Sequence, residues 1–266
     1  MFTSVTPLSQ SQLQHFTPSV FAIEAHARVS GRYQFISTLD MIGALYRQGW
    51  HPVHAEESRA NVESRKGFTK HLLRFRRFDE LLPMVGDSFP EIVLVNSHDG
   101  SCSYQLHAGL FRLVCGNGMI IADADLGQVR RRHTGDALEN IIEGTCEIVK
   151  ALPAVAGKVS LFRQIDLKPA EQQILAKTAL GLRWDDGKAP ITPSQLLQTR
   201  RHEDHGNDLW TTYQRVQENM LKGGQPGLSS TGRRLTTKAV KSVDGNVKIN
   251  KALWLLTERM AELKGA

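Results

Sequence analysis

Residues 95 to 121, VNSHDGSCSYQLHAGLFRLVCGNGMII, gather side chains that do chemistry in many proteins: His98 beside Asp99, then Cys102, His107 and Cys115. Three chemistries use such residues. A serine or cysteine nucleophile needs a base within hydrogen-bond reach and a third group to orient that base, which makes His98 and Asp99 the weak catalytic candidates. Adjacent side chains on a strand point to opposite sides, so the two could cooperate only in a turn, and Asp99-Gly100 is itself a common hairpin signal. Zinc takes four ligands, with Cys and His usually arriving in close pairs. Here His98, Cys102, His107 and Cys115 are spaced by four, five and eight residues, which fits no such module. A nuclease-type metal centre needs two or three converging carboxylates, and Asp99 with Asp123 and Asp125 of ADADLG are the weak candidates. The plainer reading is structural: Cys102, Cys115 and Cys146 as small buried apolar residues, Gly116-Asn117-Gly118 as a turn, and neither a metal nor a cofactor.

A second pattern is cationic. Residues 221 to 251 hold seven Lys or Arg against Asp244 alone, a sum of +6 that equals the formal charge of the whole 266-residue chain. Residues 59 to 77 hold another seven against Glu63, and Arg130, Arg131 and Arg132 form a third cluster. Positive segments interspersed with Ser, Thr and Gly suit phosphate, since hydroxyl and backbone N–H groups add hydrogen bonds to the charge and each neutralised phosphate releases counterions. The candidate phosphate contacts are Arg74, Arg76, Arg77, Arg130, Arg131, Arg132, Arg233, Arg234, Lys238 and Lys241. Phe75, Trp210, Tyr213 and Trp254 are near them in sequence and could stack on bases, although the last three recur at the spacing of a helix core.

The elements that must position these residues are legible in outline. In STLDMIGALYRQGW, Ser37 or Thr38 caps a helix with Leu39, Ile42, Leu45 and Tyr46 as its apolar stripe, ended by Gly49. Residues 50 to 57 and the basic run KHLLRFRRF at 70 to 78 read as the arms of a hairpin. EIVLVNS, 91 to 97, is a β-branched strand bounded by a proline and the turn HDGS. CSYQLHAGLFRLVC is the other arm, with LHAGLFRLV open to a helical reading as well. GMIIADADLGQVRRRHTG adds a short strand with a basic edge. DALENIIEGTCEIVKAL is an amphipathic helix with Ile141, Ile142, Thr145, Ile148, Val149 and Leu152 on one face, reaching Pro153.

Beyond Pro153 the pattern turns helical: KPAEQQILAKTAL, a capping box at Thr192 and Gln195, NDLWTTYQRVQENML closed by Gly223 and Gly224, and a last helix KINKALWLLTERMAEL. The reading is therefore α+β, with an antiparallel sheet in the N-terminal part and a mainly helical C-terminal part. Its divisions are a flexible arm over residues 1 to 19, an α+β domain over 20 to 155, and a helical part over 156 to 266 that includes a mobile basic loop at 222 to 247.

Hydrophobic residues make up 41% of the chain, enough for a real core. Three cysteines without close pairing fit reduced thiols and exclude a disulfide framework. No apolar run approaches the ~18 residues that span a bilayer, and the N-terminal residues lack a leader pattern; a cytoplasmic protein with no membrane role is expected.

The run VNSHDGSCSYQLHAGLFRLVCGNGMII, with RRRHTGD, DLWTTYQRVQENMLKGG and RRLTTKAVKSVDGNVKINKALW, resembles the YafZ/YfjQ-like proteins, a domain-of-unknown-function family of bacterial prophages, plasmids and genomic islands. The likeness covers residues 20 to 264. It implies a mobile-element setting and makes SHDG, Arg112, Cys115, Asn117 and His133-Thr134-Gly135 motif positions, and it implies no catalytic residues. A fainter similarity, in the order of elements, is to single-strand annealing proteins. Together these readings point to a mobile-element accessory protein that binds nucleic acid, DNA before RNA, without base-specific readout, in recombination or single-strand annealing, with self-association open. The alternatives are a factor that binds a host protein, and a metal-dependent nuclease.

Overall fold

The computed structural model describes residues 2–78, 88–112, 117–120, 128–131, 137–185, 187–200 and 202–266. The chain forms two compact units, Met1–Pro153 and Ala154–Ala266.

The first unit is built on an antiparallel sheet. Its strands are β1 (Phe2–Thr3), β2 (Trp50–Glu57), β3 (His71–Arg77), β4 (Ser88–Asn96), β5 (Tyr104–Arg112), β6 (Asn117–Ile120) and β7 (Gln128–Arg131). They pair in the order β1-β2-β3-β4-β5-β6, with β7 also on β5. The expected hairpin of residues 50 to 57 with 70 to 78 is there, in the register Glu57↔His71 to Trp50↔Arg77, with a shift between Pro52 and His54. Residues 106 to 112 of LHAGLFRLV resolve as strand, because β5 pairs with β4 along its length, from Val95↔Gln105 to Ser88↔Arg112.

The two faces of this sheet differ in chemistry. Trp50, Ala55, Leu73, Phe75, Ile92, Leu94, Leu106 and Ala108 line one face and are almost fully buried. Their area removed from water, at ~25 cal/mol per Å² of apolar surface, is the main stabilisation of the unit. The opposite face carries His54, Glu56, Arg74, Arg76, Glu91 and His107, all buried as well.

Helix α2 (Thr38–Arg47) lies on the apolar face, capped by Ser37, whose Oγ accepts from the Asp40 N–H. Its buried side chains are Thr38, Met41, Ile42, Ala44 and Leu45. The expected stripe is thus rotated: Leu39 and Tyr46 are 42% and 40% exposed. Gly49, at φ 83°, makes the left-handed turn into β2 that a side chain would strain.

One hydroxyl ties α2 to the end of the sheet. Thr38 Oγ1 lies 2.9 Å from His71 Nε2, 3.2 Å from His98 Nε2 and 2.9 Å from Asn96 Nδ2. Proton counting leaves one neutral arrangement. His71 Nδ1 faces the Thr69 carbonyl at 3.0 Å and must donate to it, so His71 Nε2 is an acceptor and takes the Thr38 proton. The two remaining lone pairs of Thr38 receive the Asn96 and His98 N–H groups, which saturates the hydroxyl. Burial pushes the His71 imidazole down to about 4, against the opposing pull of the Thr69 carbonyl.

The N-terminal residues are not the flexible arm that composition indicates. β1 extends the sheet, and α1 (Gln10–Phe16) starts with a capping box of Ser9 and Gln12. Leu8, Leu13 and Val20 are buried, and the Ser19 N–H and hydroxyl donate to Glu57 at 3.0 and 2.8 Å. Few but well-placed apolar residues and a half-buried carboxylate hold the segment where its polar majority gives no signal.

Helix α3 (Ala137–Gln164) contains Pro153 in its interior, so the helix does not stop where the proline marks a change of character. In the second unit, α4 (Pro169–Leu180), α5 (Pro193–Leu196), α6 (Leu209–Lys222) and α7 (Val243–Leu263) accompany a two-stranded ribbon of β8 (Pro226–Leu228) and β9 (Arg234–Thr236). The capping box at Thr192 and Gln195 is present. Eleven of the fourteen residues of α6 are buried, and Trp210, Tyr213, Trp254 and Phe162 form a ring cluster with centroids 5.5 to 6.2 Å apart. These aromatics are core, not stacking platforms, and so is Phe75.

Two outcomes follow from the Thr38 hub. Thr38→Val, which keeps the shape but strands three buried polar groups, is expected to cost at least ~2 kcal/mol in urea unfolding, and Thr38→Ser much less. Because the folded His71 pKa lies below its unfolded value, its neutral state contributes stability above pH ~6.5 that is lost as pH falls toward ~4, on the order of 3 kcal/mol. Unfolding curves collected across that window should show the fall, and a flat profile would contradict the arrangement.

Candidate nucleic-acid interface

The cations proposed as phosphate contacts have three different fates. Arg74 and Arg76, in the run KHLLRFRRF, are 6% and 3% exposed and are spent on one carboxylate. Arg74 Nε donates to Glu91 Oε2 at 2.6 Å, with its NH2 on the same oxygen, while Arg76 Nε and NH2 donate to Oε1 at 3.1 and 2.6 Å. The Arg76 guanidinium also lies 4.3 Å over the Phe89 ring. Two forks closing on one fully buried carboxylate cannot serve a phosphate in solution, so these two residues are corrected from binding to structural. Alternation places them on the same sheet face as Glu91, which is the physical reason.

Arg77 is half-buried, its guanidinium 5.9 Å over the Trp50 ring. Arg130 and Arg131 fall on β7, opposite Gln105 and Tyr104 in register. Arg132, Asp123, Asp125, Cys115 and the His133-Thr134-Gly135 motif lie outside the described residues.

The remaining four are exposed side chains close together in sequence: Arg233 and Arg234 at the tip and second strand of a hairpin, Lys238 and Lys241 in the stretch that follows it. The segment expected to be a mobile loop is a β-hairpin with the register Pro226↔Thr236, Gly227↔Leu235 and Leu228↔Arg234. Its tip is closed by the Ser229 hydroxyl, which accepts from the Arg233 N–H at 3.0 Å, and by Gly232 at φ 79°. Between Gly223 and Lys241 the sequence has four cations and no carboxylate. Successive residues of an extended ribbon face opposite ways, so Arg233 and Arg234 make it cationic on both sides.

The base of the hairpin is clamped by polar groups that hydropathy does not register. Arg183 bridges the carbonyls of Met220 and Lys238, and Arg200 bridges Asn219 Oδ1 and the Gly223 carbonyl. Asn219 Nδ2 donates to the carbonyls of Leu196 and Gln198, and Gln225 Nε2 donates to Asn219 Oδ1 at 2.9 Å. On β8 a side chain is impossible at Gly227: its Cβ would stand 2.1 Å from the Pro190 carbonyl oxygen, the group that receives the Leu228 N–H at 2.9 Å. Arg183 and Arg200 thus hold the ribbon in place, a role that nothing in their sequence neighbourhood announces.

The opening motif is structural where it is described. His98 is fully buried in the Thr38 hub, and Asp99, 3% exposed, accepts the Ser101 N–H at 3.0 Å across the turn between β4 and β5, with Arg65 at 3.9 Å. Neither orients the other, so the candidate base and its orienter are not assembled. Among the described residues no group of three His, Cys, Asp or Glu side chains is placed to hold a metal ion, and no helix is long and apolar enough to cross a membrane.

An antiparallel α+β unit followed by a helical unit with a clamped cationic ribbon is the class of protein that this geometry defines. The chain belongs to the family described as Domain of unknown function (DUF932), whose model matches residues 25–254. It is similar to two Escherichia coli (strain K12) proteins, the UPF0380 proteins YafZ and YfjQ, each 42% identical over 254 residues, 96% of this chain and 92% of the relative. No solved structure matches.

The division of the arginines into structural and exposed is testable by unfolding. Glu91→Gln leaves two buried guanidinium groups facing a neutral amide and is expected to cost about 3–5 kcal/mol. The double reversal Arg233→Glu/Arg234→Glu should change stability by no more than ~0.5 kcal/mol. Equal losses in the two variants would contradict the division.

Proposed function

We propose that the protein binds nucleic acid through phosphate contacts, without reading base sequence, as an accessory factor of a mobile element. The observation that carries this reading is the segment of residues 223 to 241: a hairpin, clamped at its base, and the stretch that follows it, with four exposed cations and no acid. A polyanion is the complement of such a surface. Concentrated charge raises the encounter rate, and a pre-ordered ribbon spends little entropy on binding. The buried α6 argues against a recognition helix in the major groove, which leaves backbone contact as the mode that fits the exposed surface. The mobile-element setting comes from the family resemblance, and DNA is the first nucleic acid to try.

The test is the salt dependence of binding to labelled DNA and RNA of unrelated sequences. Each phosphate engaged on duplex DNA contributes about −0.9 to the slope of log K against log salt. The full chain should show a slope of about −3 or steeper, and Arg233→Glu/Arg234→Glu should make it shallower by about 2 while weakening all sequences alike. Binding that ignores salt, or a double variant with the wild-type slope, would overturn the proposal.

A further inference from the structure

The aromatic side chains near basic runs in the sequence are core, yet three other rings stand at the surface of the first unit. Tyr46, on the last turn of α2, is 40% exposed, and Phe78, just past the end of β3, is 49% exposed. Between them lies His51 of β2. Its ring is 4.7 Å from Tyr46 at 90° and 5.9 Å from Phe78 at 70°. The rings therefore form a continuous ladder across the helix end and two strand ends.

Large aromatic surface left in water on a protein with a well-formed core calls for an explanation. Edge-to-face contact uses one edge or one face of each ring, so the outer rings keep aromatic surface open to solvent. A cation stands at one end of the ladder: Arg47 is exposed next to Tyr46 on the same helix turn, whereas Arg77, before Phe78, is half-buried with its guanidinium over Trp50. Asp79 and Glu80 follow Phe78 in the sequence, so the cationic end of the ladder is the Tyr46 end. Open aromatic faces interleaved with arginine are the combination that holds unpaired bases, since every base has a stacking face and every linkage a phosphate. A duplex hides its base faces and gains nothing from such a ladder.

We infer that Tyr46, His51 and Phe78 form a stacking platform for the bases of single-stranded nucleic acid, with Arg47 toward its phosphates. The inference rests on the nucleic-acid reading above and adds strandedness to it. The platform and the hairpin play separable parts: stacking adds affinity that is nearly independent of salt, whereas the hairpin contributes the salt-dependent share.

The experiment compares a labelled oligothymidine of about 20 nucleotides with a duplex of equal length, for wild type, Tyr46→Ala/Phe78→Ala, Tyr46→Phe/Phe78→Tyr and Arg233→Glu/Arg234→Glu. The alanine variant should lose about tenfold or more in single-strand affinity, keep duplex affinity within about twofold and keep the salt slope. The variant that retains the rings should bind like wild type. Both exposed positions should leave the melting temperature within a few degrees of wild type, so loss of fold is read separately. If the alanine variant binds the oligothymidine as wild type does, or loses both strands alike, the platform is overturned while the salt slope and hairpin variant still uphold the nucleic-acid reading. If wild type self-associates and the alanine variant is monomeric with unchanged affinity, the ladder is a face between copies of the chain. No binding of either strand at low salt overturns both readings.

Discussion

A charge taken out of water must be paired, and in this protein that constraint decides which of its many arginines are available. Glu91 enters the sheet on the same face as Arg74 and Arg76 and receives both guanidinium groups. Once the carboxylate is there, the arginines cannot leave, and once they are there the strands β3 and β4 have one workable register. The pairing costs desolvation that its Coulombic gain only roughly offsets, so its value is in specifying the arrangement rather than in adding net stability. Two of the seven cations in residues 59 to 77 are consumed by the architecture.

The same logic of polar groups satisfying polar groups recurs at smaller scale. Thr38 joins α2 to the ends of β3 and β4 through a single hydroxyl with one way of placing its protons. Arg183 and Arg200 occupy the Met220 and Gly223 carbonyls at the end of α6, and Asn219 of α6 donates to the carbonyls of Leu196 and Gln198 at the end of α5. In each unit a buried polar knot fixes where an element goes, and apolar burial supplies the driving force around it.

Much of the fold was legible in the residues: the Ser37 cap, the pairing of β2 with β3, the strand 91 to 97, the box at Thr192 and Gln195 and the family resemblance rest on local signals of known geometry. What was not legible depends on partners distant in sequence. Nothing near Arg74 and Arg76 says that Glu91, fifteen and seventeen residues on, will face them. The hairpin has no apolar period, so composition reads it as loose, whereas its order comes from side chains as far away as Arg183. The rotation of α2 that buries Thr38 and exposes Tyr46 is set by the histidines it meets, not by the mean hydropathy of its faces. Of the candidate site, the four cations of residues 223 to 241 were found from charge alone, and the aromatic ladder was missed because its three rings come from three separate elements.

The shift between Pro52 and His54 has a consequence best put as parity. β2 has eight residues where its partner β3 has seven, so one residue of β2 is out of step, and even and odd exchange sides partway along the strand. Trp50 and Ala55 can therefore share the apolar face while His54 and Glu56 share the polar one. No period-two scan finds a sided strand here, because each half alternates correctly and the halves disagree. Taking Val53 into the ladder, with no residue removed, would bring carboxylate and imidazole against α2, or else swing the indole to the opposite side. The odd residue lets one strand supply an indole to the helix side and ionisable groups to the other.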